Sequence, residues 1–365
     1  MSRPTYSMRL TRREFLKLGA LGAAGLSLRP WLNARAQAEP SALLGRVNEG
    51  KISVRAVPDI TAPEIAPLYE DHLVDWLREV VGTNPYRANQ RFVETPQGYI
   101  WSPLLQPVYD VPQEPVTELY ETSLGAGMWV QVSVPFVDVQ LENASAYAPS
   151  VKHRVNELGV LPRLYYSQVI WVDQIATNSE GQVWYRLNER YGYGDVFWGP
   201  AQAFRQVTPE EVAPITPDIE DKYLEVNLHH QTVSAFEEGR EVFFCRCSTG
   251  MDYVDEQGNS TATPPGENHR IWRKMLSAHM SGGTTGGGWD LAGVGFTTLF
   301  IGNGIAFHST FWHNNYGEKT SRGCVNVTPD DAKWIWRWTR PAVNYDPGDM
   351  TVQGTVGSRI QVVEY

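Results

Sequence analysis

The stretch GIAFHSTFWHNNYGEKTSRGCVNVTPDDAKWIWRW, residues 304–338, decides how the second half of the chain is read. Ile305-Ala306-Phe307-His308-Ser309 follows a punctuating Gly304 and reads as a strand. Side chains alternate on a strand, so Ile305 and Phe307 take one face, Ala306 and His308 the other. His308 is thereby placed on a rigid element, off the greasiest face. Thr310 to Thr320 is a polar loop, followed by Ser321-Arg322-Gly323-Cys324-Val325-Asn326. Thr328-Pro329-Asp330-Asp331 then starts a helix: Thr328 can cap, Pro329 suits the first helical position, and the acids suit the positive end of the dipole. Trp334, Ile335 and Trp338 give it a packing stripe.

A thiol nucleophile needs help, because free cysteine is mostly protonated at neutral pH. Three features of the stretch are expected to lower the pKa of Cys324: an imidazole partner, the guanidinium of Arg322, and backbone amides converging where Gly323 lets the chain turn tightly. The same amides suit an oxyanion. His308 can take the thiol proton and later return it to a leaving amine. His313 is the rival base, but it lies in the loop rather than on a strand. A lone Cys in a loop is more often inert, so the reading depends on the whole set of residues.

Upstream, Ser281 to Gly288 is nearly all Gly, Ser and Thr and is followed by Trp289. It reads as a lid over a cleft or as a plain hairpin tip. It is no phosphate cradle, for no Lys-Ser or Lys-Thr follows. Tyr223–Leu228 and Arg240–Ser248 read as strands, and Thr263-Pro264-Pro265-Gly266 as a turn. Glu211–Pro217 is an extended linker, since proline disfavours helix and central strand alike.

Before that linker, short alternating runs separated by Pro, Gly and Asn dominate, so the fold class is mainly β. Four segments are expected: a leader over 1–38, β modules over 41–110 and 114–208, and a catalytic block over 218–365. The first module contains an insert, Ile65–Val81, with helical or mixed spacing, and closes on Gly98-Tyr99-Ile100-Trp101. The second holds Met128–Val139 as one long alternating strand. At 365 residues the chain exceeds what one core supports.

The net charge is −10, and no Lys/Arg block follows the leader, which argues against nucleic acid and against polybasic membrane attachment. In the leader, Arg12-Arg13 precede Phe15 and Leu16, Leu18–Leu28 is a mild apolar run, and Ala34–Ala38 offers small residues for cleavage. This reads as a twin-arginine export signal. No later segment reaches the ~18 apolar residues of a membrane span, so no integral span is expected after cleavage. Of three cysteines, Cys245 and Cys247 share one strand face and read as small buried hydrophobes. His229-His230 lack a zinc context, and no metal is expected.

Phe307-His308-Ser309 and Ser321-Arg322-Gly323-Cys324-Val325-Asn326 together resemble the L,D-transpeptidase (YkuD-type) signature. That signature places a His before a Ser/Thr-His-Gly-Cys-apolar-Asn/Arg motif. Ser248-Thr249-Gly250, Thr263–Gly266 and the ending Gly354–Tyr365 support it. The two upstream modules resemble bacterial SH3-like domains on their turn spacing and aromatic closing strands. The resemblance implies that Cys324 is the nucleophile and His308 the proton donor and acceptor. It implies further that the Ser309 carbonyl orients the imidazole and that amides at Gly323 and Cys324 receive the oxyanion. Ser321, Arg322 and Asn326 would contact substrate. Arg322 departs from the usual His; its permanent charge suits a substrate carboxylate. The implied reaction is acyl transfer from peptidoglycan tetrapeptide stems with loss of D-Ala, needing no cofactor, in the cell envelope. A carboxypeptidase, a wall-peptide cysteine hydrolase and a non-catalytic wall-binding protein are the alternatives.

Overall fold

The alternating runs largely form strands, and among the described residues these assemble into six sheets in this computed structural model. It describes residues 42–122, 125–255, 258–282, 289–302 and 304–365. The expected leader and residues 283–288 of the expected lid lie outside these. Among the described residues every strand pair falls within 44–108, 128–206 or 222–363.

The first of these regions has a three-stranded sheet, with Leu44–Val47 between Leu73–Asp75 and Leu105–Val108, and a five-stranded sheet beside it. The insert Ile65–Val81 is not helical: it makes the strands Glu64–Tyr69, Leu73–Asp75 and Arg78–Val81. Its mixed spacing reflects strands too short and too exposed to show a clean period.

The second region has a six-stranded sheet and a two-stranded ribbon. The expected single strand Met128–Val139 is broken into Met128–Val132 and Phe136–Asp138. Pro135 separates them, and proline has no amide to give a ladder. Met128–Val132 is buried on both faces. Met128, Val130 and Val132 enter this region's own core, with Ile170 and Val172 from the neighbouring strand Val169–Thr177. Trp129, Val169 and Trp171 point the other way, into the core of the third region. The period of two thus serves two cores at once. Trp129 fixes the junction further: its ring N–H donates to the Tyr345 carbonyl at 2.8 Å. Ala42–Tyr365 is accordingly one compact unit.

The third region stacks two five-stranded sheets around that shared core. One runs Val325–Val327, Ile305–Ser309, Trp289–Ile301, Arg273–Gly282, Asp349–Thr351. The helix Pro329–Trp338 packs behind it, with Ala332, Ile335, Trp336 and Trp338 buried. Thr328 caps it, accepting from the Asp331 amide at 3.2 Å, and Pro329 opens it. Cys245 and Cys247 are buried in the same core and unbridged.

Candidate active site

Two parallel strands set the site. Ile305–Ser309 pairs with Val325–Val327 so that Phe307 faces Val325 and His308 faces Asn326. Cys324, one residue before that ladder, therefore comes level with Ala306 in register. His308 and Cys324 line one cavity of about 510 Å³, together with Trp289, Trp312, Arg322 and Asn326.

His308 is 3% exposed. Its Nδ1 donates to the Ser309 carbonyl at 2.9 Å, which fixes the ring's proton there and leaves Nε2 bare. Trp312 stacks on the ring, with centroids 5.7 Å apart. Burial lowers the imidazole pKa to about 4, with the Ser309 carbonyl working against it. The ring is neutral at pH 7 and able to accept a proton.

Cys324 is only partly buried as a residue. Its thiol donates to the Gly304 carbonyl at 3.7 Å. The expected depression of its pKa does not occur. Burial pushes the thiol up to about 11, and a backbone hydrogen bond from Ala306 offsets only part of this. Arg322 does not supply the missing charge, because its guanidinium lies over the Trp289 ring, 4.8 Å from the centroid. At rest the cavity thus holds a neutral thiol and a neutral imidazole.

The turn carrying Cys324 is held from several sides. Gly323 has φ +115, and a Cβ there would meet Ile305 at 3.2 Å, so glycine alone suits it. The Gly323 amide donates to Ser321 Oγ at 3.2 Å, and the Ser321 hydroxyl donates to the Cys324 carbonyl at 2.5 Å. Ser321 thus spends its hydroxyl inside the turn. Thr263 Oγ1 donates to the Gly323 carbonyl at 2.8 Å and receives the Gly250 amide at 2.9 Å. The Ser-Thr-Gly and Thr-Pro-Pro-Gly segments are therefore braces for the cysteine turn.

Asn326 is 2% exposed and meets His313 Nε2 at 2.8 Å. The Asn315 amide donates to His313 Nδ1 at 3.2 Å, so the proton of that ring sits on Nε2. As placed, the Asn326 NH2 faces Nε2 and its Oδ1 has no partner; exchanging the two amide atoms lets Oδ1 accept from Nε2–H and frees the NH2. His313 is itself buried, which together with the nearby His308 lowers its pKa to about 3. Both its ring nitrogens are engaged, and it is absent from the cavity wall.

Sequence reasoning missed His279. It lines the same cavity between two carboxylates, with Nδ1 2.6 Å from Glu189 and Nε2 2.5 Å from Asp290. Burial disfavours its charge, but hydrogen bonds to Asp290 and Glu189 outweigh that and raise its pKa to about 9. Nothing local signals this, because Glu189 belongs to the second region. Among the described residues no group of three or more His, Cys, Asp or Glu side chains could hold a metal ion. His229 and His230 stand exposed, edge to face.

The L,D-transpeptidase catalytic domain family model (YkuD) matches residues 221–362. No curated protein matches the chain. Similar solved structures include a mutant L,D-transpeptidase from Enterococcus faecium, 23% identical, covering 40% of this chain and 50% of that one, TM-score 0.29. Another is the catalytic domain of an E. faecium L,D-transpeptidase, at 22% identity, 40% and 98% coverage and TM-score 0.29. A third is an L,D-transpeptidase from Mycobacterium smegmatis, at 17% identity, 62% and 99% coverage and TM-score 0.30. The chain spans half the length of the first of these. On the family model, residues 221–362 are a YkuD-type L,D-transpeptidase catalytic domain.

Proposed function

We propose that the protein is an exported peptidoglycan L,D-transpeptidase that forms 3→3 cross-links through a thioester on Cys324. The observation that carries this is the bare Nε2 of His308 on the wall of the cavity that also holds the Cys324 thiol.

His308 Nε2 takes the thiol proton as sulfur attacks the carbonyl of the third residue, typically diaminopimelate, of a tetrapeptide stem. Because both groups rest neutral, the charge pair arises only as the C–S bond forms, where the oxyanion is stabilised. The Cys324 amide receives the oxyanion; the Gly323 amide joins it by giving up its 3.2 Å contact with Ser321. The C–N bond to D-Ala breaks, and the amine leaves with the proton from His308. The side-chain amine of a second stem then attacks the thioester, losing its proton to His308. The thiolate departs and is reprotonated.

Arg322 is exposed at the cavity, has no carboxylate partner among the described residues, and is held ready by Trp289. It suits a carboxylate of the donor stem. Asn326, on the cavity wall with one amide atom left without a partner, offers that atom to the stem backbone. The paired Arg12-Arg13 support twin-arginine export to the envelope, and no helix among the described residues is long and apolar enough to cross a membrane.

Incubating the protein with disaccharide tetrapeptide should release D-Ala and give a dimer mass by mass spectrometry. Tripeptide alone would instead identify water as the acceptor and the enzyme as a carboxypeptidase. Turnover that survived Cys324→Ala would end the assignment.

A further inference from the structure

The segment between the two reacting residues is held from outside the catalytic domain. Arg46, on the strand Leu44–Val47 of the first region, is 2% exposed. Its Nη2 donates to the Phe311 carbonyl at 2.5 Å, three residues after His308, and its Nη1 to Asp71 at 2.8 Å. The other oxygen of Asp71 receives Arg163 of the second region at 2.7 Å. The Arg46 guanidinium lies over the Tyr165 ring, 4.3 Å from its centroid, and Tyr165 stacks on Phe311 at 5.6 Å. Three regions of the chain thus converge on Phe311.

From Phe311 the contacts continue to the chemistry. Its ring meets Trp312 edge to face at 5.0 Å, and Trp312 stacks on the His308 imidazole. Farther along the same segment, the Asn89 amide donates to Glu318 at 2.7 Å and Arg91 to the Asn314 carbonyl at 3.3 Å. A buried guanidinium costs desolvation free energy that only well-placed partners offset. Here those partners include a backbone carbonyl of the segment that carries the stacking ring of the base.

We propose that Arg46 is a positioning residue for His308, acting through Phe311 and Trp312, and that the first region serves as an internal brace for the base. This rests on the reading of His308 as base. Such a brace fixes the direction of Nε2 toward the thiol, and misplacement of a catalytic group by about 1 Å costs up to ~100-fold in rate.

The test compares wild type, Arg46→Met, Arg46→Lys, Tyr165→Leu and Cys324→Ala in the full chain, assayed well below each melting temperature. Tyr165→Leu removes the stack on Phe311 and the ring under Arg46 but leaves Arg46 its hydrogen bonds to Asp71 and the Phe311 carbonyl, so it stands in if Arg46→Met does not fold. The expected result is a kcat lowered roughly tenfold with KM within about twofold, and partial rescue in Arg46→Lys. The acid limb of kcat/KM should also move up from about 4 toward the ordinary histidine value as water reaches the loosened ring. A folded Arg46→Met or Tyr165→Leu with unchanged kcat and unchanged acid limb overturns the proposal. So does a loss of rate matched by the loss of folded protein. Activity surviving in Cys324→Ala would instead overturn the underlying functional reading.

Discussion

At the scale of single residues the thiol and the imidazole that are to react store no charge. Cys324 is held neutral up to about pH 11 and His308 down to about pH 4. Alkylation of the free enzyme by iodoacetamide should therefore be slow at pH 7 and rise steadily toward pH 11, with no plateau near neutrality. A fast, pH-independent reaction between pH 6 and 9 would show a preformed ion pair instead. Turnover should follow a different profile, falling on the acid side only as His308 protonates near pH 4, because substrate draws the proton across. Arg322→Met should raise KM roughly tenfold or more for stems with a free side-chain carboxylate, in line with a lost charged hydrogen bond. The amidated stem should be nearly indifferent, and equal effects on both substrates would remove Arg322 from recognition. That Cys324, His308 and Arg322 would line one cavity was legible in the sequence, because their local spacing is itself the signal. The thiol pKa was not: it depends on how deeply neighbouring strands bury the sulfur, and burial is a property of packing. His279 was illegible for a related reason, since Glu189 lies far from it in sequence.

At the scale of elements, the hairpin Arg273–Gly282 and Trp289–Ile301 is anchored at its far end by Glu189, His279 and Asp290. Asp290 also accepts the Ser150 amide at 2.7 Å, tying the second region to the hairpin. This gives stability a pH profile with a definite sign. His279 has a raised pKa, so its contribution is fully present below about 6.5 and is lost as pH rises through about 9. His308 and His313 have depressed values, so theirs is present above about 6.5 and is lost as pH falls toward 4 and 3. Melting temperature should therefore peak near pH 6.5. His279→Gln should flatten the alkaline limb and leave the acid limb in place; an unchanged alkaline limb in that variant would refute the anchor. The strand Lys222–Asn227 could be read from its clean alternation, whereas Thr232–Glu237, which pairs between it and Arg240–Arg246, was not anticipated. The strands of the insert 65–81 could not be read, because exposed three- and four-residue strands carry too few residues to display a period.

At the scale of the molecule, the sequence suggested modules joined by a proline-rich connector, yet two neighbouring strands of the second region's sheet, Met128–Val132 and the first half of Val169–Thr177, are buried on both faces. A clue lay in the run Met128-Trp129-Val130-Gln131-Val132, which is too continuously apolar for a strand with one face in water. Because Trp129, Val169 and Trp171 are shared with the catalytic core, a single unfolding transition is expected by calorimetry. Two resolved transitions would contradict the shared core. Nicking the chain within 208–217 should leave two pieces that co-elute until denaturant is added.

That shared sheet also constrains what lineages can do with this chain. Recombination that swaps a tail domain for another ordinarily costs little, because the seam is wet. Here the seam is dry and tryptophan-lined, so a newcomer spliced onto residues 218–365 would have to bring its own matching indoles or leave the enzyme prone to clumping.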